Sequence, residues 1–409
     1  MSAEETSTER SRSARIAAIR AVNVRFPERK IVSEVRRANW NDYAPRGLPM
    51  NRYFPPDLPA KTPGIAGSAV WVQVVTEGGE WGLGRCSFGE PVAALVNQHF
   101  APLLIGRDAL ATEMLNDIMW RSTKRHGSVG LSAIAQSGID LALWDLKGKL
   151  FGEPVYRLIG GPSRESVRCY CTSDDLDWSL ELGFDAFKLS NPVFYEQGNR
   201  GLDLIEEKIA AGRATVGASA ELMFNPVMAF NVRFAIEVCE RVRPYRLSWL
   251  EEPLIPEDLE GHLQLRSAVP WMGIATGEDH HTRIPFRQLI ERRAVDVVQP
   301  DLQWCGGLTE ALKIYAMAEA AGIRTIPHAG CNSPFGQHFA FAMPDCDLGE
   351  FHLSSPIGVP LAEWNSIPGM AVPEKGRLVP SDAPGFGMDI PQDWLEPWTT
   401  DAANGVGVW

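Results

Sequence analysis

The sequence predicts an α/β protein, a (β/α)8-type barrel carrying an α+β capping domain at its N-terminal side. Beyond Gly160-Gly161 eight short apolar runs recur, each ending in a polar or Pro-containing tip, with helical segments between them. The spacing is about 25 residues per unit, which suits a barrel of about 250 residues. The chain's 409 residues exceed one compact core, so the barrel needs a companion. A doubly wound open sheet is the competing architecture; eight even repeats and the lack of a glycine-rich dinucleotide loop favour the barrel.

Taken in order, residues 1–15 are charged and without an apolar stretch, a loose head and not a signal peptide. Residues 16–26 read as a strand. The irregular stretch 27–63 carries Trp40, Tyr43, Arg46, Arg52 and Lys61, a content that suits a binding lid. Residues 68–76 and 81–86 alternate as two strands about the turn Glu77-Gly78-Gly79-Glu80, a hairpin. Helical segments follow near 92–100 and 109–122, then a strong one at 131–150, completing a capping domain over 16–160. The barrel, 161–358, takes its strands from 167–171, 186–189, 222–224, 247–250, 273–276, 295–298, 324–326 and 348–352. Helices are expected at 201–214, 232–242, 259–267 and 308–321. The Pro-, Gly- and Trp-rich tail, 359–409, is expected to pack back on the cap.

Composition narrows the partners. Apolar content of 45% and charged content of 22% are ordinary for a globular protein. A net charge of −12 argues against nucleic acid and anionic membrane, and no run reaches the length of a membrane span. Seven scattered cysteines without a CxxC pair read as reduced, packed thiols, so a cytoplasmic protein is expected.

Chemistry in a barrel gathers where strands end, because the β-α loops open together on that face. The tips here are Lys188, Asn225, Glu251-Glu252, Glu278-Asp279, Asp301, His328 and Glu350. Residues 295–330 form one β-α-β unit with Asp301 and His328 at its strand ends. Neighbouring parallel strands set those two side by side, a carboxylate to orient an imidazole acid/base. Each alone is as easily a helix cap or a buried polar side chain. Asn225, Glu251 and Glu278 end successive strands; two carboxylates and an amide oxygen converging there call for a cation, and hard oxygen donors suit Mg2+.

These tips, with DLALWDLKGKLFGEPVYRLIGG (140–161), WLEEPLIPEDLEGHLQLR (249–266) and QPDLQWCGGLTEA (299–311), resemble the enolase superfamily. The likeness runs to its mandelate-racemase-type acid-sugar dehydratases, and among them to the L-rhamnonate dehydratases, over nearly the whole chain. The resemblance implies Mg2+ on Asn225, Glu251 and Glu278, a His328–Asp301 dyad, and Lys188 and Glu350 on the substrate carboxylate. It also implies a homo-oligomer acting on a small sugar acid, dehydrating it to a 2-keto-3-deoxy acid. The family's racemases carry Lys-x-Lys on the second barrel strand; this chain has Lys188-Leu189-Ser190, which favours dehydration. The chain departs from the family at Asn225, where the family has Asp, and at Asp279, where the rhamnonate dehydratases have His. No histidine precedes His99, so Arg46, Arg52 and Lys61 stand in for a lid histidine. A non-catalytic relative that binds a sugar acid or a protein partner is the alternative that Asn225 supports.

Overall fold

The computed structural model describes residues 14–53, 68–365 and 367–399. Three strands, β1 (Ile16–Val24), β2 (Val70–Thr76) and β3 (Trp81–Cys86), form an antiparallel sheet, β2 and β3 being the expected hairpin. The tail returns to this sheet: Leu395–Pro397 pairs antiparallel with β1, Val24 opposite Leu395. Helix Leu131–Phe151 crosses the sheet's inner face, and glycines permit the approach. A Cβ on Gly84 would stand 2.1 Å from the Gly138 carbonyl oxygen, and one on Gly82 2.1 Å from that of Ala142.

The second sheet holds eight parallel strands: β4 (Val167–Thr172), β5 (Ala186–Ser190), β6 (Glu221–Asn225), β7 (Leu250–Glu251), β8 (Ile274–Thr276), β9 (Val297–Val298), β10 (Arg324–Thr325) and β11 (Leu348–His352). They pair in chain order from β4 to β10, and β11 pairs with β4, Glu350 opposite Tyr170. One residue from each strand or from the position next to it (Tyr170, Ala186, Met223, Trp249, Ala275, Val297, Ile326, Leu348) joins a single buried cluster, the floor of the barrel. Above it, alternation aims the next inward residues, Lys188, Asn225, Glu251, His328 and Glu350, at the mouth.

Differences from expectation lie at element ends. The fourth barrel strand is two residues, Leu250–Glu251, in place of 247–250; Arg246 turns left-handed at φ 50° and delays its start. The helix expected at 109–122 begins at Thr112, because Asp108 first accepts from the Leu110 N–H at 2.9 Å. The segment expected at 92–100 is a π turn, Leu95–Phe100, flanked by α-helix at Gly89–Ala94 and Ala101–Leu104. Among the described residues no helix is long and apolar enough to cross a membrane. All seven cysteines are buried and unpaired.

The lid stretch lies against the barrel mouth over its described part. Trp40 Nε1 donates to the Leu353 carbonyl at 2.9 Å, the Trp40 N–H to Asp175 Oδ2 at 2.7 Å, and the Gly47 N–H to the Asn191 carbonyl at 2.7 Å. Residues 54–67, with Lys61, lie outside the described residues.

Candidate active site

Asp301 and His328 follow β9 and β10, which pair in parallel, and the unit between them brings the side chains together: His328 Nδ1 lies 2.9 Å from Asp301 Oδ2. A carboxylate only accepts, so Nδ1 carries the hydrogen and donates it, which leaves Nε2 as the working nitrogen. Nε2 stands 3.5 Å from Glu278 Oε2. Trp304, from the loop after β9, covers the ring at 5.2 Å between centroids. Burial alone would depress the imidazole, but Glu278, Asp301 and Glu350 outweigh it and push the pKa up to about 10.

Lys188 and Glu350 meet across β4. The buried ammonium lies 2.7 Å from Glu350 Oε1 and also contacts Glu251 Oε1. Thr172 Oγ1 donates to Glu350 Oε1 at 2.6 Å, and the Ala329 N–H to Oε2 at 2.8 Å. Burial works against both charges, yet each is held by the other: Lys188 is raised by Glu251 and Glu350, and Glu350 is lowered by Lys188 and His328.

The expected ligands Asn225, Glu251 and Glu278 end β6, β7 and the loop after β8, but the first two turn their polar atoms on protein. Glu251 Oε1 accepts from Asn225 Nδ2 at 2.9 Å as well as from Lys188. Its Oε2 accepts from Trp249 Nε1 at 2.9 Å and Gln299 Nε2 at 2.7 Å. Asn225 Oδ1 accepts from the Val227 N–H at 2.7 Å, and that contact fixes which end of the amide faces Glu251.

The next residue differs. Glu252 is 1% exposed, and among the described residues neither carboxylate oxygen has a hydrogen-bond partner. It stands at φ 41°, with Val227 at 49°, Met228 at 59° and Ala329 at 45°, a cluster of left-handed non-glycine residues around the mouth. One oxygen each from Glu252, Glu278 and Asp279 lie within 4.8 Å of one another. Burial, then the neighbouring carboxylates, raise Glu252 well above the usual range, and burial raises Glu278 to about 8. An oxygen-only set with an unpartnered buried carboxylate fits a hard divalent cation such as Mg2+.

Among the lid residues, Arg46 stacks 4.8 Å over Trp40 and donates to Asn41 Oδ1, which His352 Nε2 also meets at 3.2 Å. Arg52 instead bonds Glu196 at 2.6 Å and Tyr195 at 2.9 Å on the exposed rim. The sequence reading passed over Gln299, Trp249, Thr172 and Trp304. Gln299 and Trp304 flank Asp301 in the QPDLQW run, and strand alternation would have turned Trp249 to the same face as Glu251.

Residues 175–394 match the enolase C-terminal domain-like family, and residues 51–160 the N-terminal domain of mandelate racemase/muconate lactonizing enzyme. An L-rhamnonate dehydratase of Saccharopolyspora erythraea is 38% identical over 322 residues, 78% of this chain and 82% of that protein. The crystal structure of L-rhamnonate dehydratase from Gibberella zeae superposes with a TM-score of 0.82 at 31% identity, covering 94% of this chain and 96% of that one. A structure of the rhamnonate dehydratase from the same fungus, complexed with Mg, gives 0.83 at 32% identity over 93% and 95%.

Proposed function

The chain belongs to the mandelate racemase/muconate lactonizing enzyme family of the enolase superfamily, and we propose that it dehydrates an aldonic acid, L-rhamnonate or a related sugar acid, to the 2-keto-3-deoxy acid. The observation that carries this reading is the His328–Asp301 pair, bonded at 2.9 Å with Nε2 facing the mouth. The relatives named L-rhamnonate dehydratase supply the substrate class. In this reading 16–160 and the tail from 359 form the cap and 161–358 the barrel. The protein works in the cytoplasm as a homo-oligomer, the compartment that seven unpaired cysteines suit.

The proton α to a carboxylate is a very weak acid, so its removal requires positive charge on the carboxylate oxygens as the enediolate forms. Lys188 is the protein's own cation there, with Glu350 holding it in place at 2.7 Å. Glu278, at the mouth, would hold Mg2+, which would supply further positive charge to those oxygens. His328 takes the C2 proton on Nε2 while Asp301 holds Nδ1–H, so the ring enters in the right tautomer. The neighbouring carboxylates, Glu278 foremost, favour the imidazolium that this step produces; a cation on Glu278 would withdraw that charge and leave Nε2 unprotonated to begin it. That imidazolium then gives its proton to the 3-hydroxyl as the C3–O bond breaks. Water leaves, and the enol becomes the ketone. One imidazole serves both steps when hydroxyl and proton depart from the same face. Ser190 stands where a second lysine would serve the opposite face, which supports dehydration over racemisation.

A non-catalytic relative is the second reading, favoured by the Asn225 amide, whose nitrogen faces Glu251. A screen of aldonic and aldaric acids with Mg2+, scoring 2-keto-3-deoxy products by semicarbazide absorbance, separates the two. Turnover that vanishes in His328→Asn is the expected result and names the sugar. Silence across the panel, with a ligand still shifting the melting temperature, would replace the enzyme by the binding protein.

A further inference from the structure

We propose that the cap positions the acid/base: Ser137 and Asp140, on the cap helix Leu131–Phe151, hold the loop after β9 and so fix Asp301 against His328. The proposal rests on the dehydratase reading only for its effect on turnover; the hold on the dyad is read without substrate.

The dyad hangs on the backbone of that loop. Asp301 Oδ2 is engaged by His328, and Oδ1 accepts from the Gln303 N–H at 2.6 Å. The Asp301 carbonyl accepts from the N–H groups of Trp304 at 3.0 Å and Cys305 at 2.8 Å. Turning the carboxylate off the imidazole therefore means moving 303–305. The next two residues, Gly306 and Gly307, lie at positive φ, 116° and 87°, and Gly307 has no side chain with which to cap the helix Leu308–Ala320. The first N–H groups of a helix have no partner within it. The cap supplies what the loop lacks. Ser137 Oγ accepts from the Gly306 N–H at 2.8 Å, and Asp140 Oδ2 from the Thr309 N–H at 2.9 Å. Trp144 Nε1 donates to Thr309 Oγ1 at 2.9 Å. Positions 137, 140 and 144 follow the spacing that puts side chains on one face of a helix. Ser137 and Asp140 are fully buried, so water does not compete for either acceptor. A carboxylate is also the group that a helix N-terminus favours. The fit depends on glycine, because a Cβ on Gly307 would stand 2.4 Å from Asp140 Oδ2. A second cap contact reaches the imidazole through its cover: Trp304 donates its Nε1–H to Ser87 Oγ, just past the end of β3, at 3.2 Å.

The test uses full-length protein with isotopically labelled histidines and follows the low-field proton resonance of His328 Nδ1–H, assigned by its absence in His328→Asn. Ser137→Ala and Asp140→Ala should each broaden or abolish that resonance, because an Asp301 free to swing releases the proton to exchange with water. In both variants kcat should fall by about ten- to a hundredfold with KM nearly unchanged, the cost of a slightly misplaced acid/base. Ser137→Ala keeps the test open should Asp140→Ala not fold. Leu143→Ala, on the same helix but packed in the cap's own core, is the control for lost stability: its melting temperature should fall while its resonance stays. An unchanged resonance in both loop-holding variants would overturn the proposal. So would full turnover by both, or an equal loss of the resonance in Leu143→Ala. A wild type that shows the resonance but turns over no sugar acid would fail the dehydratase reading and leave the hold on the dyad standing.

Discussion

At the ends of β9, β10 and β11 every charge meets its opposite: His328 meets Asp301 at 2.9 Å, and Glu350 receives Lys188 at 2.7 Å and the Ala329 N–H at 2.8 Å. At the end of β7, a few residues around the barrel, Glu252 is as deeply buried and meets no hydrogen-bond donor among the described residues. The two sides bury acids to a similar depth, so depth does not explain the difference. What differs is the supply of donors. The first side contains its own cations; the second has more carboxylate than donor, an imbalance that a divalent cation would relieve.

The sharpest way to part the two sides is His328→Asn. Loss of a general acid/base lowers turnover by about two to four orders of magnitude. Mn2+ affinity, set on the other side, should stay near wild type. A variant that loses both would mean that the sides are one unit and would break the comparison.

Lys188→Met tests the self-contained side through stability. It strands Glu251 and Glu350 as buried anions without their cation, and breaking a buried pair in this way costs about 3–5 kcal/mol. Urea unfolding at neutral pH measures it. An unchanged midpoint would show that Glu251 and Glu350 take up protons instead, at little cost.

Asn225→Asp acts between the sides. It replaces a donor by an acid facing Glu251, so the metal-free protein should lose about 1–3 kcal/mol. The acid adds a charged oxygen beside Glu251, so millimolar Mg2+ should stabilise this variant more than it stabilises the wild type. An equal Mg2+ effect in both proteins would show that position 225 adds nothing to the cation site.

The dyad and the barrel were legible in the sequence because they depend on periodicity. Strand 348–352 was placed to the residue, and Asp301 and His328 fell at the tips of neighbouring strands. The acidic side was legible only as a set of names. Glu251-Glu252 was visible as a pair, but where the second carboxylate points turns on a left-handed φ at Glu252, and glutamate gives no sign of that. Asn225 was read as offering an oxygen; the Val227 N–H, brought close by a left-handed Val227, claims that oxygen instead. Arg46 and Arg52 were equivalent in sequence, and only packing sends one to Trp40 and the other to the rim.

The smallest effect compares two imidazoles on the self-contained side. His328 sits among carboxylates and is raised, whereas His352, at the end of β11, is pushed down to about 3. Burial is the main cause, and Arg46, Lys188 and His328 add to it against Glu350. A histidine depressed in the folded state is neutral there and protonated in the unfolded chain below its ordinary value of 6.5. Its contribution is therefore complete above pH 6.5 and is lost as the pH falls toward 3. Over that window one proton is worth at most about 1.4 kcal/mol per pH unit. His352→Gln keeps a donor for Asn41 Oδ1 but cannot titrate. Urea midpoints of wild type and variant, measured from pH 8 to pH 4, should run parallel above pH 6.5. Below it the wild type should fall more steeply, by no more than that one proton. Equal slopes throughout would mean that His352 takes up a proton in the folded protein, as His328 does, and that the contrast between the two strand ends is not one of charge.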